Sequence, residues 1–310
     1  MKLMFFGTGE FGIPTLEKLL ESDHKVIAVV TQPDRQKGRG WKVQPAPVKA
    51  FLKEKGVRVE LFQPGKVSDM ALGNKLRSKR ADVFVVVDYG MFLSQPLLNA
   101  PNKFCINLHP SLLPKYRGAA PVNWAILNGE KETGNTVIRL SGRMDAGSII
   151  LQERIYIGDG ENAIELADRL SKSGADLVLK ALELIEENIV EFKEQEESEA
   201  SFAPGLEKEQ GRINWKESAF EIGRKIRALQ PWPGTFTHFG GKILKVIKAQ
   251  VVMNIEDNKT PGSICDESKF IVATGKGALQ MEEVQIEGKK AMSRDEFLRG
   301  HRLEKGTVLE

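Results

Sequence analysis

Three short apolar runs in the first half of the chain constrain its fold more than any other feature. They are Val26–Thr31, Ala81–Val87 and Phe104–Leu108, and each is rich in β-branched or aromatic residues with at most one charge. Continuous runs of this kind are typical of strands buried on both faces of a parallel sheet. Stretches with helical spacing of apolar residues separate them. The pattern therefore predicts an α/β fold with a doubly wound parallel sheet.

Further elements follow from the same periodicities. The predicted strands are Lys2–Phe6, Asn135–Leu140 and Ser148–Ile157, and the predicted helices are Phe11–Leu20, Pro47–Lys55 and 161–186. Gly56 directly follows the second of these helices, where a glycine commonly ends a helix. We assign these elements to a first domain over residues 1–190.

The composition changes after the long helix. Lys193–Ser201 is acidic, polar and without hydrophobic periodicity, so we expect a linker over residues 191–206. The elements predicted beyond it are a helix at Ala219–Leu229 and strands at Thr235–Phe239, Ile243–Val252, Phe270–Ala273 and Ala278–Ile286. Short strands at this spacing predict a small antiparallel barrel over residues 207–310.

Composition limits the classes of function. The chain has 310 residues, 28% of them charged, and no apolar run reaches the roughly 20 residues of a membrane helix. The first residues do not have the pattern of a signal peptide, and Cys105 and Cys265 give neither a metal-ligand spacing nor a disulfide framework. We therefore expect a cytoplasmic protein with no metal and no membrane contact. The net charge of +3 does not by itself predict nucleic-acid binding.

A glycine motif follows the first predicted strand. Gly7, Gly9 and Gly12 have the spacing of a dinucleotide-binding turn at the start of a helix. That function also requires an acidic residue at the tip of the second strand. Asp34 comes 22 residues after Gly12 but lies beyond Pro33, in a loop. Two interpretations stay open at this point: a tight strand-to-helix turn, or a nicotinamide-dependent oxidoreductase.

The segment from Asn107 to Gly118 carries the strongest functional signal. Asn107 and His109 lie two residues apart at the end of a predicted central strand, so they share one face of the sheet. Open α/β sheets bind ligands at the carboxyl ends of their strands. Asp145 lies in a loop between two later strands. Taken separately, the first two residues suit a hydrogen-bonded polar pair, and Asp145 suits a turn.

Taken together, these residues resemble the folate-dependent formyltransferase family. The family pattern is an Asn-x-His pair, a Ser-Leu-Leu-Pro loop and an aspartate 36 residues after the histidine. It is matched by Asn107, His109, Ser111-Leu112-Leu113-Pro114 and Asp145. The resemblance covers nearly the whole chain, including Gly211–Trp215 and Phe297–Arg302 near the two ends of the second domain. It implies a Rossmann-like catalytic domain followed by an OB-like domain that binds tRNA.

The resemblance also implies a reaction and its participants. The co-substrate would be 10-formyltetrahydrofolate, and the acceptor would be the amino group of methionyl-initiator tRNA; we also expect a monomer. Asn107 and His109 would stabilise negative charge on the formyl oxygen. Asp145 would keep His109 charged and oriented, and would relay the proton of the amine through water. The residues implied to bind folate are Ser111, Leu112, Leu113 and Pro114, with Tyr89 and Gly90 beside the pterin.

A basic loop follows the second predicted strand. Residues 34–42 (DRQKGRGWK) contain Arg35, Lys37, Arg39 and Lys42 against one acid. Such a loop suits contact with phosphates and a stacked base, or equally exposure to solvent. The resemblance favours tRNA binding, because this loop is similar to one that enters the acceptor stem in members of the family that act on tRNA.

Several expectations depend on single positions. Asp88 stands before Tyr89-Gly90 where the family usually has a small apolar residue, so we expect it to alter the folate pocket or to titrate abnormally. Trp232 and Phe236 are suited to stacking on nucleotide, but we expect them to pack in a core.

The resemblance leaves open two alternative functions, a formyltransferase or a formyl-folate hydrolase with another acceptor. The basic loop and the second domain argue against both.

Overall fold

A large sheet forms the centre of the first part of the chain. The computed structural model describes residues 1–37, 42–65, 70–253 and 259–310. The strands up to residue 203 are β1 (Lys2–Phe6), β2 (Lys25–Val30), β3 (Arg35–Lys37), β4 (Lys42–Gln44), β5 (Glu60–Phe62), β6 (Val83–Val86), β7 (Phe104–His109), β8 (Arg117–Gly118), β9 (Glu132–Arg139), β10 (Ile149–Tyr156) and β11 (Phe202–Ala203). The helices are α1 (Ile13–Glu21), α2 (Pro47–Glu54), α3 (Met70–Ser78), α4 (Gln95–Leu98), α5 (Pro121–Leu127) and α6 (Ala163–Glu187).

The strand order of this sheet is β10-β9-β7-β6-β1-β2-β5. The five strands from β7 to β5 are parallel, and β9 and β10 add an antiparallel hairpin beside β7. Alternate residues of β1 enter different cores: Leu3 and Phe5 pack with α1, α2 and α6, whereas Met4 and Phe6 pack with α3 and α4. Both faces are therefore covered, which confirms the predicted doubly wound sheet.

The chain divides into two compact units. The first comprises Met1–Pro121, Glu132–Tyr156 and Ala167–Ala203, and the second comprises Val122–Lys131, Ile157–Leu166 and Pro204–Glu310. The division between Ala203 and Pro204 falls inside the predicted linker. The predicted bounds at 190 and 206 themselves stay predictions.

The second unit contains an antiparallel sheet. Its strands are β12 (Thr235–Phe239), β13 (Lys242–Val252), β14 (Ile264–Asp266), β15 (Ile271–Ala273), β16 (Ala278–Ile286) and β17 (Met292–Ser293), and its later helices are α7 (Ala219–Ala228) and α8 (Arg294–Gly300). The order is β12-β13-β16-β15-β14, with β17 paired to β16. Ser218 caps α7, because its hydroxyl accepts from the Glu221 N–H while the Glu221 carboxylate accepts from the Ser218 N–H. This unit confirms the predicted antiparallel second domain.

One local expectation is corrected by the structure. Trp232 is 56% exposed, so the expectation that it packs in a core is wrong; Trp215 is the tryptophan buried in the core of the second unit.

The basic loop begins and ends in two short strands that pair as a β-hairpin, with Arg35 opposite Gln44 and Lys37 opposite Lys42. Gly38–Trp41, and with it the predicted tRNA contact Arg39, lies outside the described residues.

None of the helices in the described ranges is long and apolar enough to cross a membrane.

Candidate functional site

The carboxyl end of β7 brings the predicted catalytic residues together. Asn107 and His109 belong to this strand, and Asp145 lies in the loop that joins β9 to β10. His109 Nδ1 is 3.6 Å from Asp145 Oδ2, and both side chains are largely shielded from solvent. The structure thus joins two groups that are 36 residues apart in sequence, at the sheet edge where this class of fold binds ligands.

The two ring nitrogens of His109 have different surroundings. Nε2 is 2.9 Å from the Tyr116 carbonyl oxygen, which can only accept, so Nε2 carries a proton and donates it. Nδ1 faces the Asp145 carboxylate at a distance longer than a hydrogen bond. Tyr116 O therefore fixes the orientation of the ring, a role that we had expected Asp145 to fill. The Asp145 carboxylate forms an ion pair with the ring when the ring is protonated.

A second loop fixes Asp145. Its Oδ2 accepts a 2.9 Å hydrogen bond from the Gly118 N–H, and its backbone has a left-handed φ of +48°. Gly118 has a φ of +123°, and a Cβ added there would lie 2.6 Å from Ala203 O. Glycine is therefore required at position 118, where the chain passes close to β11.

Asn107 leaves its amide available for a ligand. Its backbone pairs with Val86 and Ile138, and the residue is only partly buried. The amide makes no hydrogen bond to any side chain or backbone group in the described part of the chain. It can therefore donate to an oxygen of a ligand bound on the His109 face of β7.

The Ser111–Pro114 loop is fixed by hydrogen bonds from β9 and β10. Thr136 Oγ1 donates to Ser111 O at 2.6 Å and accepts from Leu113 N at 3.2 Å. Gln152 Nε2 donates to Leu113 O at 2.7 Å and to Thr136 Oγ1 at 3.0 Å. Ser111 is fully buried and donates to Lys115 O, and Leu113 packs in a small core with Ile138 and Ile149. Among the four predicted folate contacts, Leu112 and Pro114 are the ones with partly exposed side chains.

Tyr89 and Gly90 follow β6, but the Tyr89 side chain lies in the protein interior. Its ring is buried edge-on against Phe6 at 5.5 Å, and burial raises the pKa of its hydroxyl to about 12. Its carbonyl oxygen accepts from Thr8 Oγ1 and Gln32 Nε2. Gly90 is exposed with a φ of +72°. The Tyr89 side chain is therefore not accessible to a pterin, and of this predicted pair only the backbone around Gly90 is exposed for such a contact.

Protein atoms fill the glycine turn after β1. The N–H groups of Thr8 and Gly9 both donate to Asp88 O, at 3.0 and 3.3 Å. A Cβ at Gly9 would overlap Asp88 Oδ2, and one at Gly7 would overlap the Phe5 ring. Because these N–H groups are the ones that would bind a pyrophosphate, the turn has no vacant anion site. The structure supports the tight-turn interpretation and argues against an oxidoreductase.

Asp88 titrates abnormally, as expected from its position. The residue as a whole is exposed, but its carboxyl group is packed against Gly9. Desolvation of this group, followed by the charge of Glu10, raises the pKa of Asp88 from 3.8 to about 6.

Asp34, the acid considered for the nucleotide-binding interpretation, is engaged by other side chains. Asp34 Oδ2 pairs with Lys49 Nζ at 2.8 Å, and Asp34 Oδ1 accepts from Gln63 Nε2 at 2.7 Å. These hydrogen bonds keep the pKa of Asp34 below its ordinary value. Asp34 therefore anchors the base of the β3–β4 hairpin and is not free for a ribose hydroxyl.

The described cations of the hairpin lie on the surface. Arg35 and Lys42 are exposed, and Arg35 Nη2 also donates to Gln32 Oε1 at 2.6 Å. The backbone register of the hairpin pairs Arg35 with Gln44 and residue 37 with Lys42. Because its cations are exposed, the hairpin base is suited to phosphate contact.

These features define a class of protein, and comparison with known families identifies it. The family model described as formyl transferase matches residues 1–182, and the model of the formyl transferase C-terminal domain matches residues 205–302. Together the two models cover most of the chain. The chain belongs to the formyl transferase family.

Relatives within the family narrow the class. A methionyl-tRNA formyltransferase of Alkaliphilus oremlandii is 43% identical over 311 residues, covering 100% of this chain and 99% of the relative. One of Caldanaerobacter subterraneus is 43% identical over 312 residues and covers all of both chains. The predicted resemblance is confirmed along the full length.

Solved structures share the fold at lower identity. HypX from Aquifex aeolicus, solved in complex with tetrahydrofolic acid, has a TM-score of 0.66 at 18% identity, covering 99% of this chain and 51% of that chain. An N-formyltransferase from Helicobacter canadensis, solved with folinic acid and dTDP-3-aminofucose, has a TM-score of 0.68 at 20% identity, covering 91% and 99%. These likenesses support the α/β fold of the chain.

Proposed function

We propose that this chain transfers the formyl group of 10-formyltetrahydrofolate to the α-amino group of methionyl-initiator tRNA. The observation that carries the proposal is the contact between His109 and Asp145 at the end of β7, in a chain 43% identical over its full length to methionyl-tRNA formyltransferases. A cytoplasmic location and a monomeric state remain predictions from the sequence.

The reaction needs stabilisation of charge more than it needs a nucleophile from the protein. The amine of the methionyl ester attacks the formyl carbon, and negative charge grows on the formyl oxygen. The Asn107 amide and His109 Nδ1 supply two donors to that oxygen. Because Nε2 already donates to Tyr116 O, Nδ1 is the ring nitrogen available for this role. Loss of one such donor typically costs about 10²- to 10³-fold in rate.

Asp145 has two roles in this scheme. Its carboxylate, 3.6 Å from Nδ1, attracts the positive charge that the ring carries in this step. It also accepts the proton that the attacking amine loses, directly or through water, and passes it to N10 of the folate as the bond between the formyl carbon and N10 breaks. The products are the formamide of the methionyl ester and tetrahydrofolate.

The β3–β4 hairpin supplies the contact with tRNA. Arg35 and Lys42 are exposed at its base, and the sequence places Lys37 and Arg39 in the same basic segment. Exposed cations in a basic segment suit the phosphates of an acceptor stem. The Asp34–Lys49 ion pair, 2.8 Å long, ties the start of this segment to α2.

One assay tests the proposal. The purified chain is incubated with 10-formyltetrahydrofolate and, in parallel, with methionyl-initiator tRNA, uncharged initiator tRNA or free methionine. We expect formylation of the charged tRNA alone. The absence of formyl-methionyl-tRNA, or equal formylation of free methionine, would overturn the proposal.

A further inference from the structure

The predicted linker contains a segment that binds two loops of the candidate site. One is the 115–118 loop, and the other is the β9–β10 loop, which carries Asp145. We define the strap as residues 193–203. Lys193 pairs with Ile149, and β11 at the end of the strap pairs in parallel with β8. Resting on the proposed function, we propose that Gln195 of the strap is a positioning residue that fixes Asp145 for formyl transfer.

Gln195 connects a buried cation to the backbone of the Asp145 loop. Its Nε2 donates to Asp145 O and to Gly147 O, each at 2.7 Å. Its Oε1 accepts from Arg117 Nε at 3.0 Å and from Arg117 Nη2 at 2.8 Å. Two carbonyls on one side and a guanidinium on the other allow only this orientation of the amide. Gln195 therefore acts as a fixed bridge between Arg117 and the loop.

Arg117 makes this bridge rigid. It is 2% exposed, and beyond its bonds to Gln195 its Nη1 and Nη2 donate to Glu197 Oε2 and Oε1 at 3.1 and 3.0 Å. The Arg117 guanidinium holds the pKa of Glu197 below its ordinary value. A planar guanidinium bound at both of its edges has little freedom to rotate. Its position determines where the Gln195 amide lies.

The strap also fixes the loop that carries the anchor of His109. Ser201 Oγ accepts from Tyr116 N at 2.9 Å, and Ser201 O accepts from Arg117 N at 2.8 Å. Tyr116 O in turn accepts from His109 Nε2. The strap thus holds both residues of the candidate site by their backbone surroundings. Ser201 binds Tyr116, whose carbonyl anchors the imidazole, and Gln195 binds the backbone carbonyl of Asp145.

The backbone of Asp145 explains why a bridge is needed. Its φ of +48° lies in the left-handed region, which is uncommon for residues other than glycine. The Gln195 amide binds the carbonyl of this residue and that of Gly147, so it restrains the strained turn on both sides. Without it, we expect the carboxylate to move relative to His109, and a misplacement near 1 Å can cost about 100-fold in rate.

Three single variants test the proposal. Gln195→Ala removes the bridge, whereas Gln195→Glu keeps an acceptor for Arg117 but replaces the donor that binds the two carbonyls. We expect both to lower kcat about 10- to 100-fold, with the KM values for folate and tRNA within about threefold of wild type. Glu194→Gln is the control, because within the described ranges the neighbouring Glu194 accepts only from Ser148 Oγ. We expect its kcat to equal that of the wild type.

A double-mutant cycle separates positioning from loss of fold. The cycle compares Gln195→Ala in the wild type with Gln195→Ala in the Asp145→Asn variant. If Gln195 acts through the Asp145 side chain, adding Gln195→Ala to Asp145→Asn lowers kcat by less than about twofold. Circular dichroism and the unfolding temperature of each variant check the fold. Two results would overturn the inference. One is a wild-type kcat in Gln195→Glu, and the other is a loss of kcat in the double variant equal to the product of the two single losses. An inactive wild-type chain would instead overturn the proposed function.

Discussion

Tyr116 O lies 2.9 Å from His109 Nε2, and this hydrogen bond determines which ring nitrogen of the imidazole is available to a ligand. The carbonyl cannot donate, so it fixes the proton on Nε2 and turns Nδ1 toward Asp145. A backbone oxygen is insensitive to pH, and its acceptor property does not depend on the Tyr116 side chain. The site therefore depends on the conformation of the 115–118 loop as much as on the three predicted side chains.

Asp145→Asn tests the charge of the carboxylate. Asparagine retains an oxygen for the Gly118 N–H but removes the charge beside Nδ1. We expect kcat to fall by about 10²- to 10⁴-fold with little change in either KM, because general acid–base groups contribute about that much. Steady-state kinetics with each substrate varied in turn measure this. Asp159→Asn, a change of a fully exposed aspartate, is the control. A kcat within a factor of three of wild type would remove Asp145 from the mechanism.

Thr136→Val tests the anchoring of the Ser111–Pro114 loop. The valine removes one donated and two accepted hydrogen bonds and leaves Ser111 O and Leu113 N with fewer partners. We expect a loss of about 1–3 kcal/mol in the free energy of unfolding. We also expect a higher KM for folate.

Thr133→Val supplies a matched control on the same strand. Thr133 is buried, and its Oγ1 has no hydrogen-bond partner among the residues that the structure describes. We expect this variant to be as stable as the wild type or more stable, since it removes an unsatisfied hydroxyl. Equal losses in the two variants, measured by urea unfolding, would contradict the role of Thr136.

Arg39→Ala and Lys42→Ala test the hairpin as the tRNA contact. We expect each to raise the KM for tRNA several-fold and to leave the KM for folate unchanged. We also expect each to reduce the slope of log KM against log salt by about one, as the loss of one phosphate contact predicts. Lys172→Ala on α6 removes an exposed cation paired with Asp168 and serves as control. Equal effects on both KM values would exclude this role for the hairpin.

Asp88→Asn tests the abnormal titration beside Gly9. The pKa of Asp88 is about 6 in the folded chain against 3.8 ordinarily, so the folded state binds the proton more tightly and is penalised once the carboxylate is charged. That penalty is fully present above about pH 6 and disappears below about pH 4. We expect Asp88→Asn to be more stable than wild type at pH 7.5, by at most about 1 kcal/mol because the residue is exposed.

The same difference should shrink as the pH falls from 6 to 4. Glu10→Gln, which removes the neighbouring charge, should give a smaller gain of the same sign. Urea unfolding at several pH values measures both variants. A stability difference that does not depend on pH would contradict the raised pKa.

Some of this architecture was predictable from sequence because it depends on local periodicity. The apolar runs of β2, β6 and β7 predicted a sheet covered on both faces, and the Asn107–His109 pair marked the end of the central strand. Trp232 was predicted wrongly, because an aromatic residue in a Pro-rich turn has no periodicity that tells core from surface. Its 56% exposure depends on packing over long sequence separations.

The supporting groups of the site could not be predicted for a different reason. Tyr116 acts through a carbonyl, which every residue has. Gln195 lies 50 residues from Asp145 in sequence, in an acidic stretch whose composition suggested a linker. The Tyr89 ring is buried against Phe6, a residue far from it in sequence. Such contacts are set by tertiary structure, and local sequence patterns do not carry them.

The most direct test of the central claim is the rate of formyl transfer to methionyl-initiator tRNA by His109→Ala. If protonated His109 stabilises the developing charge on the formyl oxygen, the variant should lose at least about 100-fold in kcat while its circular dichroism spectrum remains that of the wild type. A folded His109→Ala variant that retains more than about 10% of the wild-type rate would contradict the account.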